Sequence, residues 1–288
     1  MNILKQTLLA VALGTVAIGA QATPFYIDLG GTGVGTGFAD ATNCATCTAD
    51  AEELNIKYVS HTAITLTAPG ITVGDAINTT GGFSSDGFAV NAVTGLNPSA
   101  QNFGFSNSAF TGVLNWGLSY NFDLFGNVAS ITGAGDLADV TYDSGTIEVL
   151  LVKFDGLGGI ASTDRIMDLV VTGSDLDNNS NLLILGTLDF TGVAAAYLDM
   201  FNIQGGPSCA GDITFDGLAA CVPALDFSFT IDQNLDAAVF ESLVGNILTV
   251  GGTHDGSLRF DVPEPGTLLL LGSALFGMAG TARRRKVK

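Results

Sequence analysis

The sequence predicts an all-β protein with a β-sandwich or jelly-roll-like body, and three observations carry that prediction. Its patterned stretches alternate apolar and polar residues with period two. The clearest is Leu114, Trp116, Leu118, Tyr120, Phe122 and Leu124, interleaved with Asn115, Gly117, Ser119, Asn121 and Asp123. About ten such stretches are separated by short Gly, Asp and Asn turns. Only one segment has helical spacing. The charged fraction of 13% and the apolar content of 47% leave enough hydrophobic side chains for a core.

The elements follow in chain order. Lys5, the apolar run Leu8 to Ile18 and the small-x-small site Ala20-Gln21-Ala22 form an export signal, with cleavage expected after Ala22. A strand at Phe25 to Leu29 leads into a Gly-Thr run. Gly31, Gly33, Gly35 and Gly37 complete no G-x-G-x-x-G and no amphipathic helix follows, so this reads as a surface loop and not a phosphate cradle. Leu54, Ile56 and Tyr58 alternate with Asn55 and Lys57, and Ala63 to Thr67 ends at Pro69-Gly70. The Trp116 row places large rings on an inner face, as core in preference to a sugar-stacking platform. Asp143-Ser144-Gly145 reads as a hairpin turn before a strand from Thr146 to Phe154, and Asp155 to Gly159 reads as another turn. Strands are expected at Ile166 to Thr172, Leu182 to Phe190 and Val193 to Phe201. Two more follow at Leu225 to Ile231, with Phe227, Phe229 and Ile231 inward, and at Ser257 to Val262. The one helix expected is capped by Asp232 and carries Leu235, Val239, Leu243 and Ile247, ending before Gly251-Gly252.

The C-terminus has three parts: Pro263-Glu264-Pro265, an uncharged apolar run from Gly266 to Ala282, and the basic cluster Arg283-Arg284-Arg285-Lys286-Val287-Lys288. As a helix the run would span roughly 26 Å, a short transmembrane segment. The basic cluster is expected to stay cytoplasmic, which puts the body on the other side. The arrangement resembles the PEP-CTERM sorting signal of Gram-negative bacteria. The resemblance implies recognition at Pro263, Glu264 and Pro265 by an exosortase, with removal of the tail and delivery of the body to the cell surface or matrix. The organisation is then a signal peptide at 1–22, a β-sandwich domain at 23–262 and a sorting signal at 263–288.

The net charge is −18 overall. In the body, four basic residues (Lys57, Lys153, Arg165, Arg259) face 27 acidic ones, a balance of −23. Such a surface repels nucleic acid and anionic membranes, so membrane contact is expected only through the C-terminal segment. Divalent cations, polycationic polymers and neutral polysaccharides, exopolysaccharide among them, remain as candidate partners. Cys44, Cys47, Cys209 and Cys221 are read as structural disulfides for an oxidising compartment; of three connectivities, Cys44–Cys47 with Cys209–Cys221 is the first choice. Asp175, Asp177, Asn179 and Asn181 alternate like the opening of a calcium loop. Ser180 replaces the turn glycine and Gly186 replaces the closing carboxylate, which equally suits a plain Asx-rich turn. His61 reads as a strand-edge residue and His254 as solvated in a glycine turn, and no familiar catalytic motif is present. No catalytic residue is assigned. Tyr142 to Ile147 and Val113 to Phe125 are similar to flocculation-associated PEP-CTERM proteins. That resemblance implies a non-catalytic surface or matrix protein of exopolysaccharide, biofilm or floc. The alternatives are a calcium-dependent carbohydrate-binding module and a secreted hydrolase.

Overall fold

The computed structural model describes residues 24–30, 47–96, 116–131, 138–155, 159–176, 181–204, 213–221, 224–231 and 239–261. The strands there are β1 (Phe25–Ile27), β2 (Leu54–Thr65), β3 (Ala76–Gly82), β4 (Val93–Thr94), β5 (Trp116–Ile131) and β6 (Ala138–Phe154). They continue as β7 (Ile160–Leu176), β8 (Leu182–Asp189), β9 (Phe201–Ile203), β10 (Asp226–Ile231), β11 (Val239–Val244) and β12 (Ile247–Asp261). Single helical turns are α1 (Phe83–Asp86), α2 (Ala195–Leu198) and α3 (Phe215–Ala219).

The all-β expectation holds, but the sandwich or jelly roll is replaced by a closed wall. Strands β2, β3, β5, β6, β7, β8, β10 and β12 pair antiparallel in that order, and β12 returns to β2. The closing ladder runs from Ile247↔Thr65 to Leu258↔Leu54. Eight strands therefore form one up-and-down barrel. Alternation alone does not distinguish the two architectures, because both bury every second residue of each strand. The inner positions are those read from the sequence: Leu54, Ile56 and Tyr58, then Trp116, Leu118, Tyr120, Phe122 and Leu124, then Phe227, Phe229 and Ile231, all buried. Their neighbours Asn55, Lys57, Asp123, Asp226, Thr230 and Arg259 are exposed. Leu114 lies outside the described residues.

One end of the barrel is sealed by an aromatic plug. The small β1–β9 sheet and α3 bring Phe25, Phe201 and Phe215 against Phe260 of the closing strand, with centroids 4.7 to 6.4 Å apart. Thr214 caps α3 by accepting from the Gly217 amide at 3.1 Å. On the outer wall, Leu150, Val152 and Phe154 of β6 are buried under Phe83, Phe88 and Ala92, so the segment after β3 folds back as a flap. Asn91 pins that flap. Its Oδ1 accepts from the Val59 amide, its Nδ2 donates to the Gly82 and Gly87 carbonyls, and its own carbonyl accepts from Ser119 Oγ. The β2–β3 loop is tied by buried Asp75, whose carboxylate accepts from Thr67 and Thr72. The Thr67 hydroxyl, followed by the Thr72 amide, holds this carboxyl down at about 2.

Three local expectations are corrected. Asp143-Ser144-Gly145 is not a turn: β6 runs straight through it, and Asp143 is the extra residue of a bulge opposite Phe125 and Gly126. Pairing with β5 on both sides of the bulge, and with β7 from Gly145 onward, outweighs the local turn chemistry. Val193 to Phe201 is α2 plus the start of β9, consistent with the helix-forming run Ala194-Ala195-Ala196. The expected helix through Val239, Leu243 and Ile247 is instead the β11–β12 hairpin, turning at Gly245 (φ 64) and Asn246. Pairing with β2, more than 180 residues away in sequence, overrides its four-residue apolar spacing. The result leaves Val239, Phe240, Leu243 and Val244 exposed on β11. Asp232 and Leu235 lie outside the described residues.

Candidate functional site in the barrel lumen

An eight-stranded barrel is just wide enough for side chains to fill or for one small ligand to enter. Here the filling is incomplete. A cavity of about 110 Å³ lies in the lumen above the plug, floored by Phe201 and Phe260. One side is apolar, built by Ile147, Val149, Met167, Leu169, Phe229 and Ile231. Across from these, Ser60 and Thr62 share an inner face of β2 with Ile56 and Tyr58. Ser60 Oγ lies 3.0 Å from His254 Nε2 on the paired strand β12, and the His254 ring stacks on Tyr58 at 5.0 Å. Thr62 Oγ1 is 3.0 Å from Thr79 Oγ1, which accepts a 2.9 Å hydrogen bond from the Tyr142 hydroxyl. The lumen thus carries a polar stripe on an otherwise hydrophobic wall, and none of the lining residues is Asp, Glu, Lys or Arg.

The tyrosines in this wall are held neutral. Burial raises Tyr58 and Tyr120 well above the ordinary phenol range. Burial also pushes Tyr142 up to about 12, against the opposing hydrogen bond to Thr79. The Tyr120 hydroxyl donates to the Lys57 carbonyl at 2.7 Å, satisfying a β2 group in the stretch between the β3 and β4 pairings.

Sequence reasoning placed His254 in a solvated turn; it sits in mid-strand and points into the lumen. The signal for it was present: His254 has the parity of Leu258 and Phe260, and Ser60 and Thr62 have that of Tyr58. Reading Gly251 to Gly256 as a turn hid the first. Of the other expected residues, those that are described do not line the lumen. Asp175 lies at the end of β7 and accepts from the Leu176 amide, and Asn181 precedes β8. Asp177 and Asn179 lie outside the described residues, within which no three His, Cys, Asp or Glu side chains are arranged so that they could hold a metal ion. Cys47 and Cys221 are disulfide-bonded; Cys44 and Cys209, and with them the pairing, lie outside the described residues. So do Ala20, Ala22, Pro263, Glu264, Pro265, Arg283, Arg284 and Arg285.

Two charged groupings occupy the outer wall. Asn121, Glu148, Asp168 and Asp189 stand side by side across β5 to β8. Burial raises the Asp168 carboxyl; Arg165, 3.1 Å away, opposes this, and Glu148 and Asp189 add to it. This is a flat row and not a facing pair. Secondly, His61 bridges Glu241 of β11 (Nδ1, 2.7 Å) and Asp86 of α1 (Nε2, 3.1 Å). Burial lowers its pKa, but the hydrogen bonds and charges of Asp86 and Glu241 outweigh that and raise it. The folded imidazole therefore keeps its proton to higher pH than the unfolded one. The stabilisation is complete below the unfolded value of about 6.5 and is lost as pH rises through the higher folded value. Thermal melts of the native protein and His61→Gln should differ by up to about 1 kcal/mol at pH 5.5 and converge at pH 9. An equal gap at both values would refute the clamp.

Fold and site define an antiparallel eight-stranded barrel with an apolar lumen and a polar exterior, the reverse of the pattern in membrane barrels. Among the described residues no helix is long and apolar enough to cross a membrane. Residues 261–286 match the family described as the PEP-CTERM protein-sorting motif. The chain thus carries a PEP-CTERM protein-sorting motif at its C-terminal end, and that motif implies export and a membrane-associated signal read by an exosortase. Among curated proteins and among solved structures, nothing matches the chain.

Proposed function

We propose that the barrel is the mature, non-catalytic cargo of this sorting signal, a surface or extracellular-matrix protein associated with exopolysaccharide in biofilm or floc. The observation that carries the reading is where the motif begins. The closing strand β12 ends at Asp261 and Pro263 follows, so removal of the tail leaves every wall strand whole. The acidic exterior suits neutral polysaccharide and divalent cations better than anionic polymers. Disulfide-bonded Cys47 and Cys221 suit an oxidising compartment outside the cytosol.

The test compares full-length protein with a chain ending at Val262 in a host that has an exosortase. The truncated protein is expected to melt at the same temperature, appear in the medium, and fail to accumulate in the matrix fraction. A truncated protein that cannot fold, or one that reaches the matrix as well as the full chain does, would overturn the reading. Settling of cells lacking the gene, against cells complemented with the full chain, reads the floc role directly.

A further inference from the structure

We infer that the barrel lumen is a binding site for a compact, uncharged, largely apolar molecule of about single-ring size carrying one hydroxyl or carbonyl group. Size comes first. A dry cavity of about 150 Å³ holds benzene, so 110 Å³ admits a small ring or a short branched chain and excludes a lipid or an oligosaccharide. Charge comes second. No lining side chain is a carboxylate, amine or guanidinium, and an ion brought here would lose its hydration without a counter-charge.

The polar stripe then specifies orientation. A lumen serving only as core would gain nothing from Ser60, Thr62, Thr79 and His254 among aromatic and aliphatic neighbours. Their hydrogen bonds to one another offset the cost of burying them but do not explain their presence. An apolar chamber with a few convergent polar groups is the usual composition of a small-molecule pocket. Ser60 is the anchor, because its hydroxyl can both donate and accept and is shared with a ring nitrogen of His254. The Tyr58 ring stacked on His254 fixes the orientation of that imidazole. The inference concerns the barrel alone and does not depend on where the protein is delivered.

The experiment uses the exported protein labelled with [methyl-13C]methionine and titrated with phenol, benzene and benzoate. Met167 lines the cavity, while Met200 is equally buried but outside it. Phenol and benzene are expected to bind saturably and competitively and to shift the Met167 methyl signal but not that of Met200. Benzoate should bind neither tightly nor at this site. Ser60→Ala is expected to weaken phenol about tenfold and leave benzene unchanged, the effect of one lost hydrogen bond. Val250→Phe, which fills the half-buried end of the chamber, should abolish both; its melting curve reports whether it folds. Absence of saturable binding by both neutral probes overturns the inference, as does a shift at Met200 without one at Met167. Binding of benzoate as tight as that of phenol refutes the uncharged class. Equal loss of phenol and benzene on Ser60→Ala refutes the anchor. If Val250→Phe fails to fold, the Ser60→Ala comparison and the competition decide alone.

Discussion

Replacing Phe260 with alanine is expected to lower stability by about 3–5 kcal/mol, a fall of roughly 10 °C in melting temperature for a body of this size. Phe260 is 1% exposed and sits where two demands meet. Its backbone belongs to the closing strand, paired with Phe227 of β10, and its ring packs on Phe25, Phe201 and Phe215 of the plug. Truncation leaves a cavity lined by parts of several elements that cannot collapse together, which places the cost at the upper end of core deletions. Phe240 on β11 is the control: it is 64% exposed, and its alanine variant should change stability by no more than about 0.5 kcal/mol. Comparable losses at both positions, measured by urea denaturation, would show that the plug is not part of the cooperative core.

The second large effect is expected at a glycine. Small barrels fit large rings inside by placing small residues beneath them, and here Phe227 lies over Gly186, its register partner on β8. A Cβ at Gly186 would collide with the Val170 carbonyl oxygen and come within 2.6 Å of the Phe227 ring. Gly186→Val should therefore cost about 3 kcal/mol or more, since both the ladder and the ring must move. Gly173 on β7 provides the contrast. Nothing lies within 4 Å of a Cβ there, and Gly173→Ala should be neutral or stabilise by up to about 1 kcal/mol through the unfolded chain. Thermal melts of the two variants decide the point. A mild Gly186→Val would mean that the ring packing is loose.

Where local pattern and long-range pairing agree, sequence reading succeeds here; where they compete, pairing wins. Trp116 to Leu124 and Phe227 to Ile231 were assigned to the correct face because side-chain alternation is a property of any strand, whatever it pairs with. Asp143-Ser144-Gly145 and Gly251 to Gly256 carry turn residues yet lie inside β6 and β12. Ser144 and Gly145 pair with β5, and every residue from Gly251 to Gly256 pairs with β2; those ladders satisfy backbone groups that a turn would leave to water. The segment around Val239 and Leu243 went the same way. Helical spacing of four apolar residues is weaker than a hairpin docked on β2.

By itself the sequence determined the β character, the inner and outer sets of most strands, the acidic exterior, and the sorting signal read at 263–288, which the family match at 261–286 supports. These depend on residue order over short windows. Only the tertiary structure decided that β2 meets β12, that the wall is a barrel and not a sandwich, and that Ser60 and His254 face each other across that seam. The two residues are 194 positions apart. No local propensity encodes that contact. It follows from the one register of eight strands that buries every inner face at once.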